Sequence, residues 1–134
     1  MARKIPVHPA DAPVPAGPYT PAIIAGDFVF VSGQGPKKPG SAEYVQGDAV
    51  VQTRQVLTNI KTILAAAGCT MDDVVKVHGH LHDMGDFQRY NSVFPEFFTE
   101  PYPARTTVQS GLPGPFLVEI DVIALRPGKE EAGK

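Results

Sequence analysis

The sequence predicts an α+β fold, one β-sheet with two helices laid on one of its faces. Three observations predict it. The chain has 134 residues, 43% of them apolar and 19% charged, enough for a single domain with its own core. Apolar periodicity switches between a spacing of two and helical spacing in the order β-β-α-β-α-β-β. Glycine (13) and proline (14) gather between those segments, at 6–21, 33–40, 101–103 and 111–115, and so punctuate a compact fold. Residues 1–16 read as a proline-rich arm of this single domain, 1–134, and 126–134 as a flexible tail.

Residues 22–32 hold two β-rich runs around Gly26-Asp27, a short turn that makes them a hairpin. The second run is expected to stop at Gly33-Gln34-Gly35-Pro36. Over 49–67 the spacing is helical: Val50, Leu57, Ile60 and Leu64 share a face, with Val56, Ile63 and Ala67 beside them. Asp48 can cap the N-terminus, and Gly68 can supply the left-handed residue after the last turn. Alternation returns over 73–82, with Val75, Val77, Gly79 and Leu81 on one side and Lys76, His78, His80 and His82 on the other. A second helix is expected over 86–98, turning Phe87, Tyr90, Phe94 and Phe97 inward, and Pro95 should bend or divide it. Two strands close the chain, near 104–109 and 116–125. With both helices on one face, the other is bare. The last strand places Leu117, Glu119, Asp121 and Ile123 there, a mixture that suits another subunit better than water.

Composition excludes several functions. Twelve basic and fourteen acidic side chains give a formal charge of -2 without the basic stripe of a protein that grips phosphate backbones, so no nucleic-acid partner is expected. No apolar run approaches the roughly 18 residues of a membrane helix, and no apolar stretch follows the basic opening residues. Neither a membrane partner nor a secretory signal is expected. The single cysteine, Cys69, permits no internal disulfide and no four-cysteine zinc site, which makes a reducing cytoplasm the expected setting. Walker-type loops, dinucleotide fingerprints and Gly-x-Ser-x-Gly elbows are missing, so the chemistry must come from scattered polar residues.

Arg105, heading a strand after Pro103-Ala104, either offers its planar fork to a small carboxylate or makes a surface ion pair. Glu119 and Asp121 share one strand face and are either an acid and a base or the wet side of a sheet. Tyr19 can donate to a ligand or pack as a turn residue, and Ser32 can face a pocket or merely end a strand. His78, His80 and His82 place three imidazoles on one face. Same-face ligands on one strand splay apart, so no metal site is expected. Cys69 has no neighbouring His or Asp that would make it a nucleophile.

Gly17-Pro18-Tyr19, Val31-Ser32-Gly33-Gln34, Ala65-Ala66-Ala67-Gly68, Phe97-Phe98, Pro103-Ala104-Arg105 and Val118-Glu119-Ile120 stand together in order and spacing. In this the chain resembles the RidA (YjgF-like) reactive-intermediate deaminases, from near Pro13 to Leu125. The resemblance implies a chorismate-mutase-like α+β fold, a single mixed sheet with two helices on one face, assembled as a homotrimer. The sheets would face inward, with a ligand cleft at each subunit interface. It also implies the reaction, hydrolysis of a 2-imino acid or its enamine to a 2-oxo acid and ammonia, without a cofactor.

Carried over by position, Arg105 matches the carboxylate-binding arginine, and Glu119 the glutamate that positions and deprotonates water. Tyr19, Ser32 and Asn91 match cleft-lining positions, and Gly33 a point of close backbone approach. Thr107 stands in the cleft where many members have cysteine, and His80 where many have an aromatic residue. The 111–116 loop is one residue shorter than in the best-known members. Rival functions are a non-catalytic 2-oxo-acid sensor, a pathway-specific amino-dienoate deaminase and, weakest on charge, an endoribonuclease.

Overall fold

The computed structural model describes residues 3–128; most of the expected tail at 126–134 lies outside the described residues. The chain runs β1 (Ile5–Val7), β2 (Ala22–Ala25), β3 (Phe28–Gln34), α1 (Ala49–Ala66), β4 (Val74–Leu81), α2 (Phe87–Val93), β5 (Ala104–Gln109) and β6 (Val118–Leu125). The six strands make one sheet in the order β1-β2-β3-β6-β4-β5, antiparallel except for the parallel β4–β5 pair. A parallel pair cannot be joined by a tight turn, and α2 is the crossover between these two strands. This is the expected mixed sheet, with both helices on one face.

The helix α1 forms where the spacing predicts it. The Asp48 carboxylate accepts from the Val51 N–H at 3.1 Å and closes the first turn. At the other end Gly68 adopts a φ of 81°, and the Gly68 and Cys69 N–H groups donate back to Ala65 and Leu64. That pattern is a Schellman cap. Val56, Leu57, Ile60, Ile63 and Leu64 are fully buried against Val29, Val77, Val118, Ile120 and Val122 of the sheet. Two amides on α1 reach further. Gln52 donates to the Val45 carbonyl and accepts from the Leu117 N–H, while Asn59 donates to the Lys37 carbonyl at 2.8 Å. Both amides are buried, and both pin the loops that flank β3 and β6.

Three expectations need correction. The proline-rich arm contains a strand, β1, paired with β2; Pro6 fits because β1 is an edge. The run after Gly26, by contrast, ends at Gln34, inside the expected stop over 33–36, with an irregularity between Val31 and Gln34. In β4 a register shift between Val74 and Lys76 buries Val74 and leaves Val75 exposed. The second helix is divided as Pro95 requires, α2 ending at Val93 before a short 3-10 turn over Phe94–Glu96. The change of helical pitch buries Phe98 and leaves Phe97 half-buried.

The face without helices carries Phe28 and Phe30 of β3, Glu119, Asp121 and Ile123 of β6, His78 and His80 of β4, and Val108 of β5. Phe28, Phe30 and Val108 are each about two-fifths exposed there. Such a stretch of apolar surface is the mark of an unpartnered face.

Candidate active site

Strand alternation divides the candidate residues between two faces. Arg105 pairs in register with Val77, and Val77 with Val122, so its side chain belongs to the helix side. There its guanidinium carbon lies 4.6 Å from the ring centre of Phe94, 5.4 Å from Tyr90 and 5.7 Å from Phe87. All three rings come from α2 and the turn that continues it, at spacings that put them on one side. Cation–π contacts of this kind contribute about 0.5–2 kcal/mol and hold the fork in place. Among the described residues the Arg105 side chain has no ion pair and no hydrogen bond.

Beside it opens a cavity of about 450 Å³ lined by Asn91, Phe94, Pro95, Phe98, Tyr102, Pro103 and Arg105. Its walls are mostly aromatic and proline, with one cation and one amide to orient a ligand. Volume and chemistry suit a small carboxylate. Thr107 lies two residues beyond Arg105 on the same side, its Oγ1 3.0 Å from the Oη of buried Tyr90. It does not line the cavity itself.

Glu119 lies on the other face. It pairs in register with His80, and its neighbours Val118 and Ile120 are buried under the helices. Its carboxylate runs across the backbone of Gly33, where an added methyl would sit 2.6 Å from Oε2. Only glycine admits that approach. Ser32 stands next to Gly33 and donates its hydroxyl to the Thr20 carbonyl at 2.5 Å. Tyr19 is exposed and its Oη accepts from the Ala16 N–H at 3.0 Å, which tethers the loop entering β2. The structure therefore makes two groups: Arg105, Asn91 and Thr107 on the helix side, and Ser32, Gly33 and Glu119 at the β3–β6 junction with Tyr19 in the preceding loop. Within one chain Arg105 and Glu119 do not meet.

The histidines are arranged differently from the three-imidazole reading. Asp121 lies between two of them, its Oδ1 3.1 Å from His78 Nδ1 and its Oδ2 3.8 Å from His80 Nε2. His80 Nδ1 is 3.3 Å from the Ser110 hydroxyl. His82 lies past the end of β4 and does not join them. Among the described residues no group of three or more His, Cys, Asp or Glu side chains is placed to hold a metal ion. Cys69 is buried, and burial pushes its thiol pKa up, the opposite of an activated nucleophile. The aromatic cage under Arg105 and the cavity residues Tyr102 and Phe98 are what sequence reasoning missed. The signal was present in the helical spacing of Phe87, Tyr90 and Phe94, read only as core.

The sheet, its two helices and the arginine-bearing cavity at its β5 edge define a small α+β protein with a cationic recess. A family model described as Endoribonuclease L-PSP matches residues 9–126, and the chain belongs to that family, also known as YjgF or RidA. A RutC family protein of Pyrococcus horikoshii is 51% identical over 117 residues, 87% of this chain and 93% of that protein. The 2-iminobutanoate/2-iminopropanoate deaminase of Capra hircus is 39% identical over 127 residues, 94% of this chain and 92% of that one. The crystal structure of Escherichia coli TdcF with bound serine superposes with a TM-score of 0.84 at 36% identity, covering 91% of this chain and 98% of that one.

Proposed function

We propose that this chain hydrolyses reactive 2-imino carboxylates, of the size of 2-iminopropanoate and 2-iminobutanoate, to 2-oxo acids and ammonia. The observation that carries this is Arg105, a guanidinium stacked on three rings with its hydrogen-bonding edge unclaimed among the described residues, beside a cavity of about 450 Å³. A planar fork so held binds a carboxylate through two parallel bonds and fixes the adjacent C=N carbon. The goat relative named as an imine deaminase and the serine bound in TdcF support the same ligand class. The balanced charge favours a small anion over RNA.

In the proposed reaction a water adds to the imine carbon while Glu119 takes its proton. The carboxyl returns that proton to nitrogen, giving a carbinolamine. It then takes the carbinolamine hydroxyl proton and passes it to the amino group, so that the C–N bond breaks and ammonia leaves as the carbonyl forms. The imine carbon is already an electrophile, so the step requires no cofactor. Because Arg105 and Glu119 sit on opposite faces of one sheet, a site using both takes them from two copies. The apolar open face supports that assembly, which we take to be a homotrimer with Arg105, Asn91 and Thr107 of one copy facing Glu119, Ser32, Gly33 and Tyr19 of the next. A reducing cytoplasm suits a chain whose one cysteine is buried and unpaired. Among the described residues no helix is long and apolar enough to cross a membrane.

The test generates 2-iminobutanoate in situ with a dehydratase and traps it with semicarbazide. Wild type is expected to lower trapping, and Arg105→Ala and Glu119→Ala are not. A wild type as inert as both variants would refute the deaminase; if it still binds 2-oxobutanoate through Arg105, the protein is a 2-oxo-acid sensor instead.

A further inference from the structure

Three strands of observation meet under Arg105. Tyr90 is fully buried, and Thr107 Oγ1, 3.0 Å away, is the sole hydrogen-bond partner of its hydroxyl among the described residues. Gly79, opposite Thr107 in register, makes room for this pair: a methyl there would overlap Tyr90 Oη and sit 3.3 Å from Thr107 Oγ1. The Tyr90 ring also lies 5.4 Å from the Arg105 guanidinium. One side chain thus touches both Arg105 and Thr107, neighbours on this side of β5.

The direction of the hydroxyl bond follows from the count of donors. A phenol and an alcohol each have one proton. If Thr107 donated to Tyr90, the phenol proton would be buried with no acceptor, which is costly; if Tyr90 donates, both are satisfied. A Thr107 hydroxyl that accepts from Tyr90 cannot also send its proton along that bond, and the residue is only half-buried, so its proton is available to a ligand. Accepting one bond also strengthens a hydroxyl as a donor. Two residues along a strand span about 7 Å, the reach from a guanidinium across a carboxylate to the neighbouring carbon's heteroatom.

We propose that Tyr90 is a positioning residue that orients the Thr107 hydroxyl to donate to the oxygen or nitrogen at position 2 of the carboxylate held by Arg105. The pair would make the site prefer 2-oxo and 2-imino acids over plain carboxylates. This deepens the function proposed above and rests on Arg105 holding the ligand.

The experiment measures calorimetric binding of 2-oxobutanoate and of butanoate, which lacks the 2-oxygen, by the full chain and its variants. Thr107→Val is expected to weaken 2-oxobutanoate about tenfold or more and leave butanoate within about twofold. Thr107→Ser restores the preference. Tyr90→Phe keeps the ring on Arg105 but reduces the preference about threefold or more, and adds nothing in a Thr107→Val background. A purely structural role would shift melting temperature, read in parallel, without moving the ratio of the two affinities. An unchanged ratio in Thr107→Val, or additive losses in the double variant, overturns the proposal while Arg105→Ala still abolishes binding. If wild type binds neither acid, or Arg105→Ala binds both as wild type does, the carboxylate site itself is refuted and this proposal with it.

Discussion

A guanidinium held flat on three rings retains its charge but loses its freedom, and that is the property a carboxylate anchor needs. Arg105→Lys keeps the charge while removing both the fork and the stacking on Phe94, and titration should show 2-oxobutanoate binding weakened about tenfold or more. Gly33→Ala tests the other half-site. Its methyl would sit 2.6 Å from Glu119 Oε2 and push the carboxylate aside, so imine hydrolysis should fall about tenfold or more in the trapping assay while 2-oxobutanoate binding persists. Tyr90 carries a pH signature. Burial holds its phenol above the ordinary value of 10.0, opposed by the hydrogen bond that Thr107 gives the phenolate once the proton has left and by the Arg105 charge. The neutral phenol's contribution to stability is complete below about pH 10 and is lost as pH rises through the raised folded value. Urea midpoints should fall on that alkaline limb less steeply in Tyr90→Phe than in wild type. At this scale the sequence was partly legible. Arg105 and Glu119 stood out by their places on strands, with their roles and Asn91 added by the resemblance, yet the cage did not. Phe87, Tyr90 and Phe94 have the spacing of an ordinary buried stripe, and no periodicity tells which buried ring also lies under a cation.

Elements were legible where several signals agreed. The helix α1 had a cap, a stripe and a terminating glycine, and it formed with all three. Asp48→Ala should cost about 1 kcal/mol in chemical denaturation, because it removes the one side chain that caps the first turn. Where a single signal stood alone, it failed. Three residues of β1 show no alternation that could reveal a strand, and their pairing with β2 is settled by a partner fifteen residues or more away. Alternation also could not see the register shift in β4, which exchanges Val74 for Val75 in the core. The change of pitch at Phe94 does the same to Phe97 and Phe98, since a 3-10 turn advances by three residues where a helix takes 3.6. Such slips arise from tertiary pairing that a local pattern does not contain.

For the whole molecule, the decisive surface is the sheet face that no helix covers. Phe28 and Phe30 lie tilted against each other there with ring centres 6.5 Å apart, a ready apolar contact for another copy. Sedimentation of wild type should give about three times the 14.3 kDa of one chain, and Phe30→Asp should return the monomer mass. That the open face would be unpartnered was legible from the mixed residues of the last strand. That it separates Arg105 from Glu119 was not, because pairing partners decide which way a strand lies. The separation has a genetic consequence. Two chains each lacking one of these groups, Arg105→Ala and Glu119→Ala, are expected to be inert alone. Unfolded together and refolded as mixed assemblies, they should regain about a quarter of the wild-type activity, since that fraction of neighbouring pairs unites one intact arginine with one intact glutamate. Two broken alleles in one cell would then complement each other, as no pair of lesions within a self-contained monomer could.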